Sequence, residues 1–576
     1  MKPDLTEEYL AAQLRRIRAR CNRESQHLED RARREELPSY LLDPLSCLQA
    51  YRELQRLVHV RWRGQAVAGL FTHPSQTYLG PLMNQAVSDG SFLQGYLTFW
   101  REQPPGDPRR QAVLHWWQQG GEDPVKAVSQ ALACCPADHP EEEQTALRRL
   151  SQRQKQIARQ VGGSPDRERL ALVDGLKKGS LSPLPSLKAG IVPTLACRQS
   201  CRHCLFAWRP TLKGQARPPE EILQAASRFA PHLLFSGGEA ERHIDLFLQA
   251  VATLPAVTTF AIILNGTLGK CEEEVVSFYR NCLEALNQRP RKARPAGLLL
   301  QFSCDAFHQE IYPTPPEGRL QERIPIAWIA NCLTSVPADP RIQVALLHRL
   351  ERLNFSEAVF REGVLGRLQR ELRERNRAMY WISQSRSSLA RRDPARPDRI
   401  GYPFQQGQFR LTDHPRQLPF FWMSAQVDGM GRAERLDPVE LLPNSLELEA
   451  YLERGIPPRD PFEVDVMVRM DGQVVLGGAT HITLGQLGEE RLETIAARRD
   501  KDPLIRALAG FDPSLPRLYQ ECAGDLDAVA RTATSPHHLL HRLTESAEVR
   551  LHLTRRLLKE NPLHFQEVTK TQTINF

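Results

Sequence analysis

From Lys188 onward, short apolar runs rich in β-branched and aromatic residues alternate with amphipathic stretches of helical period. The runs Ala189–Leu195, His232–Phe235, Thr258–Leu264, Gly297–Ser303 and Arg341–Leu347 read as strands, because each is short, apolar and bounded by turn residues. Between them, Pro219–Ala230 places Ile222, Ala226 and Phe229 on one helical face, and Glu241–Leu254 does the same with Ile244, Phe247, Leu248 and Val251. Cys271–Asn287 and Ser356–Glu374 are the next predicted helices. Strand alternating with helix predicts a parallel sheet built from βα units, hence an α/β fold. A sixth strand falls at Ala378–Ser383 or at Phe421–Asp428, and the Arg- and Pro-rich insert between them, Arg386 to Pro419, reads as loop.

The pattern differs on either side. Residues 1–180 read as a helical domain: Thr6–Arg34 carries Glu/Arg pairs at helical spacing, and apolar segments follow at Tyr40–Val60 and Ser91–Arg101. Pro104-Pro105-Gly106-Asp107-Pro108 breaks the pattern, a charged helix is predicted at Glu141–Gln160, and Gly179–Ser186 reads as an extended linker. Residues 181–436 form the α/β unit. In 437–576, Phe462–Met470 and Gln473–Leu476 flank Asp471-Gly472, a hairpin signal. Helices at Glu489–Arg498, Pro503–Leu508 and His537–Glu560 and a polar tail from Thr569 complete this extension.

Composition narrows the class. With 41% hydrophobic and 25% charged residues, the chain has the make-up of a globular protein. No apolar run reaches the ~20 residues of a membrane helix, and the N-terminus has no apolar leader core, so no membrane and a cytoplasmic location are expected. The net charge of +8 and pI near 8.9 are mild for this length; they fit a solvated basic surface, or the docking of an acidic partner. Zinc-finger spacing and basic runs interleaved with aromatics are absent, so nucleic acid is not an expected partner.

Three of the 12 cysteines lie together, as Cys197-Arg-Gln-Ser-Cys201-Arg-His-Cys204, directly after the first predicted strand. Three thiolates on one loop match three irons of a four-iron cluster and leave the fourth iron open, whereas an electron-transfer cluster takes four cysteines. Zinc also takes four ligands, commonly from separated CxxC pairs, and a three-residue gap followed by a two-residue gap suits it poorly. The remaining nine cysteines form no second CxxC pair; Cys282, Cys304 and Cys332 read as packing residues.

Further segments fall at the ends of successive predicted strands. Leu233–Phe235 runs into Ser236-Gly237-Gly238-Glu239, the third strand ends in Asn265-Gly266-Thr267, and the fourth in Ser303-Cys304-Asp305. Glycines allow close backbone approach, and a carboxylate is a bidentate partner for a ribose diol. Asn265-Gly266 also reads as a plain turn, and His308 as structural. Together with the cysteine run, these residues resemble the radical S-adenosylmethionine (radical SAM) enzymes over about 188–350, with His203 at a position that is usually aromatic there.

The resemblance implies a partial (β/α)6 TIM-type barrel with its site at the C-terminal strand ends. It further implies a [4Fe-4S] cluster on Cys197, Cys201 and Cys204. S-adenosyl-L-methionine (SAM) would be bound by Gly237, Gly238, Glu239, Ser303, Asp305, His203 and Asn265. An electron donor such as flavodoxin or ferredoxin would reduce the cluster, and a 5′-deoxyadenosyl radical would take hydrogen from a substrate, with a peptide or protein as the class to test. Gly431-Arg432-Ala433 and Leu484-Gly485-Gln486-Leu487 resemble segments of the peptide-modifying SPASM branch, but that branch's auxiliary-cluster cysteines are missing, so one cluster is expected. The alternative is a metal- or cluster-bearing scaffold that acts through interaction rather than turnover. The sequence assigns no catalytic residue; Trp116, Trp117 and Trp208 read as core or as lining of a substrate groove, and Arg198 and Arg202 as surface residues or as neighbours that tune the thiolates.

Overall fold

The computed structural model describes residues 140–176, 182–184, 188–209, 216–309, 311–314, 319–349, 364–386, 391–393, 396–401, 404–416, 418–425, 427–436, 441, 444–522 and 524–560. The helices expected before Pro140, Trp116, Trp117 and the C-terminal tail lie outside the described residues. In chain order the elements are α1 (Pro140–Gln160), α2 (Ser164–Asp174), β1 (Ala189–Val192), α3 (Pro219–Phe229), β2 (His232–Phe235), α4 (Ile244–Thr253), β3 (Thr259–Leu264), α5 (Glu272–Asn287) and β4 (Gly297–Ser303). A short hairpin, β5 (Ile311–Thr314) and β6 (Arg319–Glu322), precedes α6 (Ile326–Thr334), β7 (Ile342–Arg349) and α7 (Val364–Glu374). Then come β8 (Met379–Arg386), β9 (Arg391–Asp393), β10 (Arg396–Gly401), β11 (Phe404–Leu411), β12 (Phe420–Ala425) and α8 (Ser445–Arg454). The described chain closes with β13 (Val466–Arg469), β14 (Gln473–Leu476), β15 (Thr483–Gln486) and helices α9 (Leu492–Lys501), α10 (Pro503–Ala509), α11 (Ser514–Cys522), α12 (Leu526–Thr532), α13 (Pro536–Leu543) and α14 (Ala547–Glu560).

One eleven-stranded sheet organises these elements, in the order β15-β14-β13-β1-β2-β3-β4-β7-β12-β11-β8. Its middle, from β13 through β1, β2, β3, β4 and β7 to β12, is parallel. The four residues of β1 are all buried, as are Leu298, Leu300 and Phe302 of β4, which is why these strands read as nearly continuous apolar runs. The α/β class is as expected. The sheet is wider than six strands, however, and its outer strands β15 and β8 do not pair with each other. Parallel strands in sequential order with right-handed crossovers carry their helices on one face. Phe247 of α4, for instance, packs edge-on against Phe235 of β2, with ring centroids 5.3 Å apart.

Three differences from the sequence reading have local causes. Both candidates for the sixth strand are strands: β12 pairs parallel with β7, and β8 is an antiparallel edge two places further out. The insert expected as loop carries β9, β10 and β11. In β11, Gly407 lies under the Trp381 ring, where a Cβ would stand 2.6 Å from the ring edge, so a residue that signals a turn marks a close approach inside a strand. The predicted hairpin is present as β13 and β14, but β13 also pairs parallel with β1, so the extension continues the main sheet.

Helices α2 and α14 hold the far side together through a buried charge network. Asp166 accepts two hydrogen bonds from Arg550, at 2.9 and 2.7 Å, and lies beside Arg169, which pairs with Asp502; all four side chains are buried. The described part of the predicted linker is fastened too, with Leu184 bonded to both Asp500 and Arg499. Removing one partner from such a network leaves unpaired buried charge. Asp166→Ala is therefore expected to destabilise the protein by about 3–5 kcal/mol, read as a lowered urea midpoint, whereas exposed Glu168→Ala should change it by less than about 1 kcal/mol.

Candidate functional site

The strand tips of the parallel sheet bring the sequence-selected residues together. Chain leaving β1 becomes the cysteine loop, and the segment after β2 lies against its start. Ser236 N donates to Ile191 O at 3.0 Å, Gly238 N to Thr194 O at 2.7 Å and Glu239 N to Ala196 O at 2.8 Å, so pairing continues past the end of β1. Gly237 sits at φ +133°, a conformation that favours glycine, and a Cβ on Gly238 would stand 2.2 Å from Ala196 O. Here the two glycines serve the approach of one backbone segment to another.

Cys201 is buried, Cys197 and Cys204 are partly buried, and all three are free thiols. Arg209 closes the loop on itself: Nη1 donates to Cys197 O at 2.9 Å and Gln199 O at 2.8 Å, while Nη2 reaches Cys204 Sγ at 3.2 Å. Burial pushes the Cys201 thiol up to about 12, despite the opposing charge of Arg323. It also raises that of Cys197, against the pull of the Gln199 N–H and Arg209. Without a bound metal, burial thus favours the protonated form of both thiols, and ligation would have to displace those protons. Arg198 forms an ion pair with buried Glu239 at 2.7 Å. Arg202 lies over the Phe307 ring, 5.4 Å from its centroid.

Beyond β4, Ser303 and Asp305 are both buried. Asp305 Oδ1 accepts from Phe307 N and His308 N, each at 2.9 Å, and Oδ2 lies 2.8 Å from His308 Nδ1. Burial alone would raise this carboxyl, but His308, bonded to it, and the nearby Arg349 hold it well below the usual carboxylate range. Its oxygens thus already brace the turn. His203 stacks on Phe307 at 4.6 Å and meets His308 edge-on at 4.9 Å. Burial lowers its pKa well below the ordinary value, keeping it neutral, and its Nδ1 has no hydrogen-bond partner. His203, Asp305 and His308 each offer a ligand atom within 4.8 Å of the others. Arg202 and Arg349 act on the same imidazole, and their positive charge opposes a cation there; the trio reads as a brace between the cysteine loop and the tip of β4.

At the tip of β3, Asn265 Oδ1 accepts from Thr267 N at 3.0 Å, while Nδ2 is buried without a partner. Glu241, which the sequence did not single out, takes Gly266 N at 2.6 Å, Leu268 N at 3.0 Å and the Thr267 hydroxyl, and so ties the tip of β2 to that of β3. Arg209 was missed as well, although a cation five residues beyond the third cysteine was a readable signal. Gly431-Arg432-Ala433 lies directly on the cysteine loop: Arg432 N donates to Cys204 O at 2.9 Å, and Gly431, at φ +62°, would carry a Cβ 2.0 Å from Leu205 O. Trp208, half-buried, follows on the same loop. Cys282, Cys304 and Cys332 are buried in the core, away from any CxxC geometry.

The cysteine loop, His203 and Asn265 fit the groups that the resemblance implies, whereas Asp305 is engaged by its own turn. Three thiols lie on one loop beside a guanidinium, and two buried polar atoms, His203 Nδ1 and Asn265 Nδ2, lack partners at neighbouring strand tips. No helix among the described residues is long and apolar enough to cross a membrane. No family model matches the chain, and no curated protein matches it.

The glycine contacts yield a direct check. Gly431→Ala places a methyl group against the Leu205 carbonyl at a left-handed backbone position, and is expected to cost about 1–3 kcal/mol. A thermal melt should show the loss, and tryptic cleavage after Arg202 or Arg209 should accelerate. Gly510→Ala, where the nearest atom is 3.5 Å away, should leave both unchanged.

Proposed function

We propose that the chain is a radical SAM enzyme with a single [4Fe-4S] cluster, acting in the cytoplasm on a peptide or protein substrate. The observation that carries this reading is the junction of Gly237-Gly238-Glu239 with the cysteine loop. The glycine segment, singled out by its place one βα unit after the cysteine run, is hydrogen-bonded to the residues that lead into Cys197, at the C-terminal ends of parallel strands. Sequential order of the six strands β1, β2, β3, β4, β7 and β12 also supports a partial (β/α)6 barrel.

Cys197, Cys201 and Cys204 would hold three irons. When bound, the cluster and SAM supply one-electron cleavage of the sulfonium carbon–sulfur bond and hydrogen abstraction from substrate. Arg209 balances thiolate charge at Cys204 and fixes the loop that carries it. Gly238 N and Glu239 N are taken by Thr194 O and Ala196 O, so the Gly237-Gly238-Glu239 segment would contribute by shaping the wall beside the cysteine loop, while Asn265 and His203 each offer a buried polar atom that a ligand can satisfy. Asp305, through its turn, sets where Phe307 and His308 lie against His203. An acidic electron donor such as flavodoxin or ferredoxin fits the loop's outer side, where Arg198 and Leu205 are exposed.

A metal- or cluster-bearing scaffold is the second reading. The engagement of Asp305 with its own turn favours it, since that carboxylate is not open to a ribose.

Anaerobic reconstitution with iron and sulfide separates the two. The enzyme reading expects about four irons per chain with labile sulfide and charge-transfer absorption, lost in Cys201→Ala. With dithionite and SAM, the loaded protein should release 5′-deoxyadenosine. One tightly held zinc, or a cluster that leaves SAM intact, would overturn it.

A further inference from the structure

Helix α1 is poor in apolar residues: Leu147, Leu150 and Ile157 are its large aliphatics, and Glu, Gln, Arg and Lys fill most of the rest. Such a helix docks through specific polar contacts more than through an apolar seam. Three side chains, Arg153, Gln154 and Gln160, supply them. Arg153 pairs with Glu434 at 3.0 Å and Glu545 at 2.6 Å, and Gln160 Oε1 accepts from Ala547 N at 3.0 Å. Between them, Gln154 reaches the cysteine loop. Its Nε2 donates to Leu205 O at 2.8 Å, and its Oε1 accepts from Ala207 N at 2.8 Å and Trp208 N at 2.9 Å.

One amide therefore satisfies three backbone groups immediately after Cys204, as a neighbouring strand would. The opposite side of this segment is held by Gly431, whose missing Cβ leaves room for Leu205 O, and by Arg432 N on Cys204 O. Downstream, Arg209 returns to Cys204 Sγ and to the Cys197 carbonyl. Cys204 has no regular strand or helix around it; its position is set by these contacts from α1, from the 431–435 turn and from Arg209.

We propose that α1 is a strap across the cysteine loop and that Gln154 is its positioning residue, fixing Cys204 so that the three thiols meet one cluster. The proposal rests on the reading of the cysteines as cluster ligands. It also gives the N-terminal region, whose chain leads into α1, a direct mechanical path to the metal site: a partner or substrate that shifts α1 shifts Cys204.

The test uses the full chain in two states. In the unloaded protein, Gln154→Ala should accelerate hydrogen exchange at the Ala207 and Trp208 amides at least tenfold. Gln154→Glu, which keeps the acceptor oxygen, should preserve their protection. After anaerobic reconstitution, Gln154→Ala should release iron to a chelator at least tenfold faster than wild type and shift the electron paramagnetic resonance signature of the reduced cluster, with Gln154→Glu between the two. Glu168→Ala, which removes an exposed ion pair between α2 and α14 and leaves α1 and the loop untouched, should leave that signature at its wild-type position. Wild-type exchange at both amides in Gln154→Ala overturns the strap; faster exchange with an unaltered cluster signature and iron release overturns the positioning role. A wild-type chain that takes up no iron overturns the cluster reading instead, and the exchange arm still decides the strap.

Discussion

The mouth of the sheet depends on a backbone seam only three hydrogen bonds long. Ser236, Gly238 and Glu239 donate in turn to Ile191, Thr194 and Ala196, so the chain leaving β2 follows the chain leaving β1 after regular strand geometry has ended. The seam requires that nothing project from residue 238, because Ala196 O and the Leu195 carbonyl carbon occupy the space of a side chain. It fixes where the cysteine loop begins. Each later contact presupposes that starting point: Arg198 meeting Glu239, Arg209 closing onto Cys197, and Gly431 seating on Leu205.

A loop of this kind gains little from burial of apolar surface, so its shape comes from directional contacts. Net hydrogen-bond contributions of about 0.5–1.5 kcal/mol each become decisive when several converge on a few residues. Three arrive on Leu205, Ala207 and Trp208 from Gln154 alone. Buried charge on the far side does a different job: the Asp166, Arg169, Arg550 and Asp502 network sets α2 against the C-terminal helices, and so sets the ground on which the α1 end of the chain is placed.

Strands buried on both faces were legible because their apolar runs are short and continuous, and the tips of β1 to β4 were legible because cysteine, glycine and acid follow directly on those runs. β11 was not, since Phe404-Gln-Gln-Gly-Gln-Phe-Arg-Leu presents polar residues and a glycine that packs under Trp381. Nor was the pairing of β13 with β1, a contact between segments some 270 residues apart that no local period encodes. At the site, residues defined by spacing were readable, while Gln154 and Glu241 were not: each acts by reaching main-chain atoms of another segment, and main-chain partners leave no trace in sequence. Arg198 and Arg202 were singled out because they adjoin the thiols in sequence, yet the guanidinium that touches sulfur is that of Arg209.

Burial governs the electrostatics of the site. Desolvation keeps protons on Cys197 and Cys201 and keeps His203 neutral, while Arg209 and Arg432 crowd each other near Cys204. Arg209 meets this loop through the Cys197 and Gln199 carbonyls and Cys204 Sγ. On the cluster reading proposed above, a metal centre would displace the thiol protons and create thiolates beside Arg209. Proton release and charge compensation would then be one event, at a geometry set by the contacts of Gln154 and Arg209.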